Sequence, residues 1–466
     1  MTEKIRILWA DDEIDLLKPH VMFLNSKGYD VLTTNSGGEA IDLLQSNDVD
    51  IIFLDEQMPG LSGIETLVQI KNKYPNIPVV MITKSEEESI MEDAIGSKIS
   101  DYLIKPVNPN QILLCLKKNL ETKRLVSQKT AFSYQQEFRK ISMEVSSGLD
   151  FNEWVEVYKK LIFWELELEK SQDEGILEIL KMQKNEANNL FCKYIEKNYL
   201  SWFKQGVTDK PVLSHFVLKE KLFPLLDENT STFLLLVDNL RYDQWKVLQP
   251  IIEEYLKVEK DEIYYSVLPS VTQYARNALF AGLMPTEIEK KYPKLWLNED
   301  EEGNKNQYEP ELLSQYLKRF GKDIKMSYHK VLNLNFGRKL VDNLPNLMSN
   351  KLNVIVYNFV DMLSHARTDM AMIRELAPDE SAYRSITRSW FMHSPLFDIL
   401  KSISERRARV IITTDHGTIR VKRPFKIVGD RSVNTNLRYK QGKNLGIEGD
   451  KDKLYHVARP EKLFLP

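Results

Sequence analysis

The chain has 466 residues, 42% hydrophobic, 28% charged and 10% aromatic. At roughly 150 residues per domain this length predicts about three domains, and 18 Gly, 19 Pro and the many aromatics exclude a collagen-like or disordered chain. Sixty-four Lys and Arg against 67 Asp and Glu give a net charge of −3, which excludes a broad basic coat for nucleic acid but allows a local basic pocket. Two cysteines, Cys115 and Cys192, are too few for a disulfide scaffold or a thiolate metal site. The start MTEKIRILWADD lacks a basic region followed by a long apolar one, so no signal peptide is expected. No run of 18 apolar residues occurs, so no membrane insertion is expected either. These features predict a protein of a reducing compartment, most simply cytoplasmic.

Residues 1–120 alternate short apolar runs (5–9, 29–32, 51–54, 78–82, 101–104) with stretches of helical spacing, such as Leu16, Leu17, His20, Val21 and Leu24. Five such repeats predict a (βα)5 parallel sheet. Residues 121–230 change texture to apolar stripes at 3–4 spacing, for example Trp154, Val155, Tyr158, Leu161 and Ile162. They predict a helical bundle entered by one long helix over 111–145, with Gly148, Gly175 and Gly206 as breaks. From 231 the alternation returns, with strands expected at 233–237, 263–268, 354–359 and 410–413 and a polar loop over 291–306.

In a parallel sheet, functional groups gather at the carboxyl ends of the strands. Asp11 and Asp12 follow the first strand, Asp55 ends the third, Thr83 the fourth and Lys105 the fifth. Three carboxylates on one rim repel one another unless a hard cation such as Mg²⁺ joins them. A lysine and a hydroxyl alongside supply the charge and donor that a phosphoryl group needs. Taken singly, each residue reads equally well as a helix cap or a solvated charge. Jointly, ILWADDE, FLDEQMPGLSG, VVMITKS and DYLIKP resemble the receiver domain of two-component response regulators over residues 4–120. The resemblance implies that Asp55 is the phosphoacceptor and that Asp11, Asp12 and Asp55 hold Mg²⁺. It implies that Lys105, before a cis Pro106, pairs with the phosphoryl group and that Thr83 and Tyr102 switch together. A sensor histidine kinase is the implied partner.

The C-terminal part repeats the strand-end pattern with other residues. STFLLLVDNLR carries Asp238, VIVYNFVDMLSHAR carries Asp361 and His365, and RVIITTDHGT carries Asp415 and His416. Asp361 and His365, four apart, share one helix face. Acids and histidines from separate strand ends form a mixed ligand set that suits Zn²⁺, with Mn²⁺ as the alternative; a surface ion pair and a tight turn are the plainer readings. VDNLR, PSVTQYAR, FVDMLSHAR and TTDHG resemble the PglZ branch of the alkaline phosphatase superfamily over 231–466. That resemblance implies Thr272 as the nucleophile opening a helix, where a cap role is the plain alternative. It also implies one Zn²⁺ on Asp238, Asp415 and His416, activating Thr272, and a second on Asp361 and His365. Such ligands bind as ionised Asp and neutral His, so metal affinity is expected to fall at low pH.

A third ligand for the second metal, a histidine in a His-Gly-Gly motif, does not occur. After His416 the only histidine is His456, in KLYHVARPE, and the chain ends at Phe464-Leu465-Pro466. Either a truncated chain or an incomplete second site is therefore expected. Arg420, Lys422, Arg423, Lys426 and Arg431, interrupted by Pro424 and Phe425, form a basic stretch that is either a solvated face or a channel for an anionic substrate. Arg241 is a weaker candidate phosphate clamp, and His20, His215, His329 and His393 lack liganding neighbours and read as structural.

The order receiver (1–120), helical bundle (121–230) and PglZ-type domain (231–466) resembles the PorX-type response regulators associated with type IX secretion. The resemblance implies a zinc-dependent phosphodiesterase acting on phosphodiesters such as oligonucleotides, with homodimerisation on phosphorylation of Asp55. The alternative is an impaired PglZ domain that acts as an interaction module for a sigma factor or secretion component. A transcription factor is disfavoured by the net charge and by the lack of a helix-turn-helix pattern.

Overall fold

The computed structural model describes residues 4–84, 99–171, 173–226, 230–298, 301–421, 425–429, 438–441 and 445–447, with 121–128 as backbone only. Its contacts separate two compact units, residues 1–137 with 170–173 and residues 138–169 with 174–466. The division falls within the helix Thr122–Ser147.

In the first unit, strands β1 (Arg6–Ala10), β2 (Asp30–Thr34), β3 (Ile51–Asp55), β4 (Val79–Thr83) and β5 (Asp101–Ile104) form one parallel sheet in the order β2-β1-β3-β4-β5. Every residue of β3 and β4 is buried, which is why both read as unbroken apolar runs rather than as alternation. Successive side chains go to opposite faces. Leu8, Ile52 and Leu54 join the core beneath the helices Gly37–Ser46 and Gly63–Lys73. Ile7, Trp9 and Phe53 join the core on the other face, with Ile112 and Leu116 of the helix Pro109–Leu116. The helix expected over 111–145 is a longer helical run, Pro109–Leu116, a π-type turn over Lys117–Glu121, then Thr122–Ser147.

In the second unit the helices Phe151–Glu169 and Glu174–Asn198 pack together, with the Trp154 and Phe191 rings 5.3 Å apart. The break between them falls before Gly175, which lies instead in the first turn of the second helix. Glycine is tolerated there because first-turn N–H groups have no intrahelical partner. Gly148 and Gly206, both at φ +84°, do mark breaks.

The C-terminal sheet is also wholly parallel, in the order β7-β8-β6-β9, with β6 at Ser231–Val237, β7 at Met326–Val331, β8 at Leu352–Tyr357 and β9 at Ala408–Thr413. All seven residues of β6 are buried. Phe233, Leu235 and Val237 face the helices Tyr242–Glu253, Leu334–Leu347 and Pro395–Ser404. Leu234 and Leu236 face the helices Thr272–Ala281 and Glu309–Arg319. Each such side chain stabilises the sheet by about 1.5–3 kcal/mol, and together they fix the Thr272 helix to one face.

Two sequence expectations are corrected. Strand β7 was not foreseen, because an edge strand of composition MSYHKV reads as polar. The strand expected over 263–268 is not one: only Tyr265 forms a bridge, to Leu213. Its alternation reports burial on two sides without a ladder, since Tyr264 packs with the sheet core and Tyr265 with Tyr199 and Trp202.

Gly282, at φ +59°, ends the Thr272 helix, and a Cβ there would lie 2.0 Å from Cζ of Tyr316. Left-handed strain and overpacking together predict that Gly282→Ala destabilises this unit by about 2–5 kcal/mol, read as a lowered urea midpoint.

Candidate functional sites

The first site lies where the strand order reverses between β1 and β3, the crevice in which open parallel sheets bind ligands. Asp11 follows β1 and Asp55 closes β3, both buried, with Asp12 exposed beside them; an oxygen from each lies within 4.8 Å of the others. Lys105 Nζ stands 3.0 Å from Asp11 Oδ2 and 3.0 Å from Asp55 Oδ1. Burial pushes the Asp55 carboxyl up to about 6, the Lys105 hydrogen bond opposing and the Asp11 charge reinforcing that rise. An all-oxygen set from three carboxylates converging on one rim fits a hard divalent cation. The Thr83 hydroxyl donates to Glu56, and Tyr102 is 43% exposed. The Lys105–Pro106 bond is cis, as the motif implies. An open cavity of about 550 Å³, lined by Asp12, Glu56, Met58 and Pro59, leads to the rim.

The second site occupies the corresponding reversal beside β6. Asp238 follows β6, and Asp415 and His416 follow β9; all three are buried and lie within 4.8 Å of one another. His416 Nε2 is 3.6 Å from Asp238 Oδ1, 3.8 Å from Asp415 Oδ2 and 3.0 Å from Thr272 Oγ1. Tetrahedral ligands on bonds of 2.0–2.2 Å sit about 3.3–3.6 Å apart, so these separations are of the size that one divalent metal ion spans. Asp238 Oδ1 is buried without a hydrogen bond, the orphan that a cation satisfies. His416 Nδ1 lies 3.2 Å from the Gly417 carbonyl and 3.3 Å from Arg438 Nη1, so the ring is held through Nδ1 while Nε2 faces the carboxylates.

Thr272 is the first residue of its helix, after Val271 in the capping position. The intrahelical bonds begin with Tyr274 and Ala275, both to the Val271 carbonyl, so the earliest N–H groups point outward beside the hydroxyl. Four residues on, Arg276 is fully buried on the same helix. Its guanidinium touches Asp238 and lies 3.0 Å from Asp415 Oδ2 and 3.7 Å from Glu309 Oε1. Burial raises the pKa of Asp238, while Arg276 holds Asp415 low against the same burial. Asn239, in the left-handed region at φ 63°, donates its amide to Asp361 at 3.1 Å and its backbone N–H to Asp415 at 3.4 Å.

Asp361 and His365 share a face of the helix Phe359–Asp369, with His365 Nε2 3.5 Å from Asp361 Oδ2 and the histidine 74% exposed. They form no three-ligand group among the described residues. Arg438 lies 3.3 Å from His416 Nδ1 and donates to the Ser270 carbonyl at 2.5 Å, two residues before Thr272. Arg241 is committed to Asp243 at 2.7 Å and to Glu380. Arg420 and Lys426 are exposed, whereas Lys422, Arg423, Pro424, Arg431, His456 and the chain end at 464–466 lie outside the described residues. His20 bonds the Val107 carbonyl and His393 that of Ser389, while His215 is buried.

Sequence reasoning missed Arg276, Glu309, Asn239 and Arg438. Arg276 carried no separate signal, since Gln273 and Asn277 lie beside it at helical spacing and the three read as an ordinary polar face.

Comparison with known proteins gives three family matches. The response regulator receiver domain matches residues 7–117, the PorX response regulator linker domain 124–203, and the BREX system PglZ alkaline phosphatase-like domain 217–457. Similar curated proteins include the alginate biosynthesis transcriptional regulatory protein AlgB of Pseudomonas putida, 37% identical over 120 residues, 26% of this chain and 27% of that protein. The response regulator SaeR of Staphylococcus aureus is 36% identical over 108 residues, 23% of this chain and 47% of that protein. The chain thus spans between about a quarter and a half of the length of these relatives. Among solved structures, the Vibrio cholerae chemotaxis protein CheY4 is 27% identical over 25% of this chain and all of its own, with a TM-score of 0.25.

Arg276→Met would leave Asp238 and Asp415 buried without their guanidinium. A loss of about 3–5 kcal/mol is expected, measured by urea unfolding with chelator present, and added zinc is expected to recover part of it.

Proposed function

The chain belongs to the PglZ alkaline phosphatase-like family, in the three-part form of a PorX-type response regulator, and we propose that phosphorylation of Asp55 governs a zinc-dependent phosphodiesterase. A receiver domain implies a sensor histidine kinase as phosphodonor. In our reading Asp55 accepts the phosphoryl group, Asp11 and Asp12 share Mg²⁺ with it, and Lys105 pairs with the new charge. Thr83 and Tyr102 then reorient, and a homodimer forms. The functional division is 1–120, 121–230 and 231–466, and the setting is cytoplasmic regulation of type IX secretion. Among the described residues no helix is long and apolar enough to cross a membrane.

The observation that carries the catalytic reading is Thr272 Oγ1, 3.0 Å from His416 Nε2, at a helix start beside the Asp238–Asp415 pair. Asp238, Asp415, His416 and Thr272 would hold one zinc ion, which when bound lowers the pKa of a coordinated hydroxyl and offsets charge on phosphate. Thr272 gives up its hydroxyl proton to solvent and attacks phosphorus in line through Oγ1, the P–O bond to the leaving oxygen breaks as that oxygen takes up a proton, and water then cleaves the Thr272–phosphorus linkage to release the phosphate monoester and restore the threonine. The outward N–H groups of the helix start bind the non-bridging oxygens. Arg438, against the Ser270 carbonyl, supplies a positive charge on the same side. Asp361 and His365 are the proposed ligands of a second ion.

A second reading draws on the exposure of His365 and on Asp361 being held by Asn239. With only two ligands for the second ion among the described residues, the domain would serve as an interaction module for a sigma factor or secretion component.

Two experiments separate these. Thr272→Ala is expected to lower hydrolysis of a bis-nitrophenyl phosphodiester by on the order of 10³-fold or more, and prolonged dialysis against a zinc chelator is expected to do the same. Inactive wild-type protein, metal-free on elemental analysis, would favour the interaction module. Asp55→Asn is expected to abolish incorporation of label from acetyl phosphate, read by phosphate-affinity electrophoresis.

A further inference from the structure

Beside the second site lies a cleft of about 190 Å³ that the catalytic reading does not use. It begins at the same two strand ends: Ser364 directly precedes His365, and Thr418 stands two residues after His416. Its floor is Tyr383, buried, with the guanidinium carbons of Arg241 and Arg367 5.2 and 4.8 Å from the ring centre. Glu380 bridges those two arginines, and Asp243 is shared between Arg241 and Arg384, so the floor is locally compensated.

The mouth is different. Arg374 donates to the Thr368 carbonyl and Arg420 to the Pro378 carbonyl, and neither has a carboxylate partner among the described residues. Two exposed guanidinium groups, pinned by carbonyls, thus converge on a recess that also offers the Thr418 hydroxyl. Pinning removes part of the rotamer entropy that an anion would otherwise have to overcome. The volume lies below the roughly 300–1,000 Å³ of clefts that enclose whole drug-sized ligands, so the cleft suits a compact anion rather than a nucleoside. Clustered guanidinium donors of fixed geometry match phosphate oxygens.

We propose that this cleft is a second anion subsite, in which Arg374 and Arg420 bind a substrate phosphate other than the scissile one. The inference rests on the phosphodiesterase reading and sharpens it: the preferred substrate carries at least two phosphates, one at Thr272 and one at the arginine cleft. A phosphodiester with a 5′-terminal phosphate is the smallest such molecule.

The test compares two dinucleotide probes of the same bases, one with a 5′-phosphate and one without, by isothermal titration on the full chain carrying Thr272→Ala. The expected result is at least tenfold tighter binding of the 5′-phosphorylated probe, falling to within about twofold when Arg374→Gln and Arg420→Gln are added. Arg338→Gln with Lys339→Gln removes the same charge from exposed positions outside the cleft, and is expected to leave the tenfold preference in place. Equal binding of the two probes by the parent chain would overturn the proposal, as would an undiminished preference in the arginine variant or an equal loss in the control. The nitrophenyl phosphodiester assay does not depend on a second phosphate, so failure of the catalytic reading shows there, and failure of the subsite shows only in the probe ratio.

Discussion

A carboxylate taken out of water must meet a cation, and both sheets of this chain set buried carboxylates at the ends of two adjacent strands. The cause is topological. Where strand order reverses, the loops leaving adjacent strands diverge and open a crevice, and side chains just past the last ladder residue point into it. Asp11 and Asp55 in one sheet, and Asp238 and Asp415 in the other, are buried by the same geometry. Two such groups repel across a low dielectric, so each crevice is stable only with positive charge inside it. The first unit supplies Lys105 and the second Arg276, and the second still leaves Asp238 Oδ1 without a hydrogen bond.

The two built-in cations differ in chemistry. Lys105 is a flexible point charge spanning both carboxylates at the rim. Arg276 is fully buried and rigid, on the helix that carries Thr272. Any movement of that helix therefore shifts the hydroxyl and the counter-charge as one body. Around the second crevice a further chain of ion pairs links Glu165 and Glu169 of the linker hairpin to Arg384, then Asp243, Arg241 and Glu380. Buried pairs of this kind add little net stability but fix register strongly. They hold the loop after Asp238 against the linker helix Phe151–Glu169.

Much of this was legible in the sequence because strand ends announce themselves. An apolar run that stops at Asp, Thr or Lys marks both the end of a ladder and the start of a crevice, and this located Asp55, Thr83, Lys105, Asp238 and Asp415. The flanking apolar runs likewise announced the first parallel sheet and three of the four strands of the second. Residues acting from within helices were not legible. Arg276 is offset from its carboxylates by a whole helix, and Glu309, at the start of the helix Glu309–Arg319, reads as an ordinary first-turn acid. Strand β7 escaped because an edge strand is half-exposed and need not be apolar. The stretch 263–268 misled because alternation reports which side chains are buried, while a strand also needs a backbone partner.

Asn239 carries a consequence of its own. It occupies a backbone conformation that glycine adopts freely and that branched or bulky residues resist. Its amide holds Asp361 while its N–H holds Asp415. Glycine at this position would relieve the backbone but release Asp361, and a longer amide would keep a donor but strain the chain. The link between the two sides of the crevice thus admits few alternative residues, which makes it a poor place to tune this protein and a sensitive one at which to uncouple its parts.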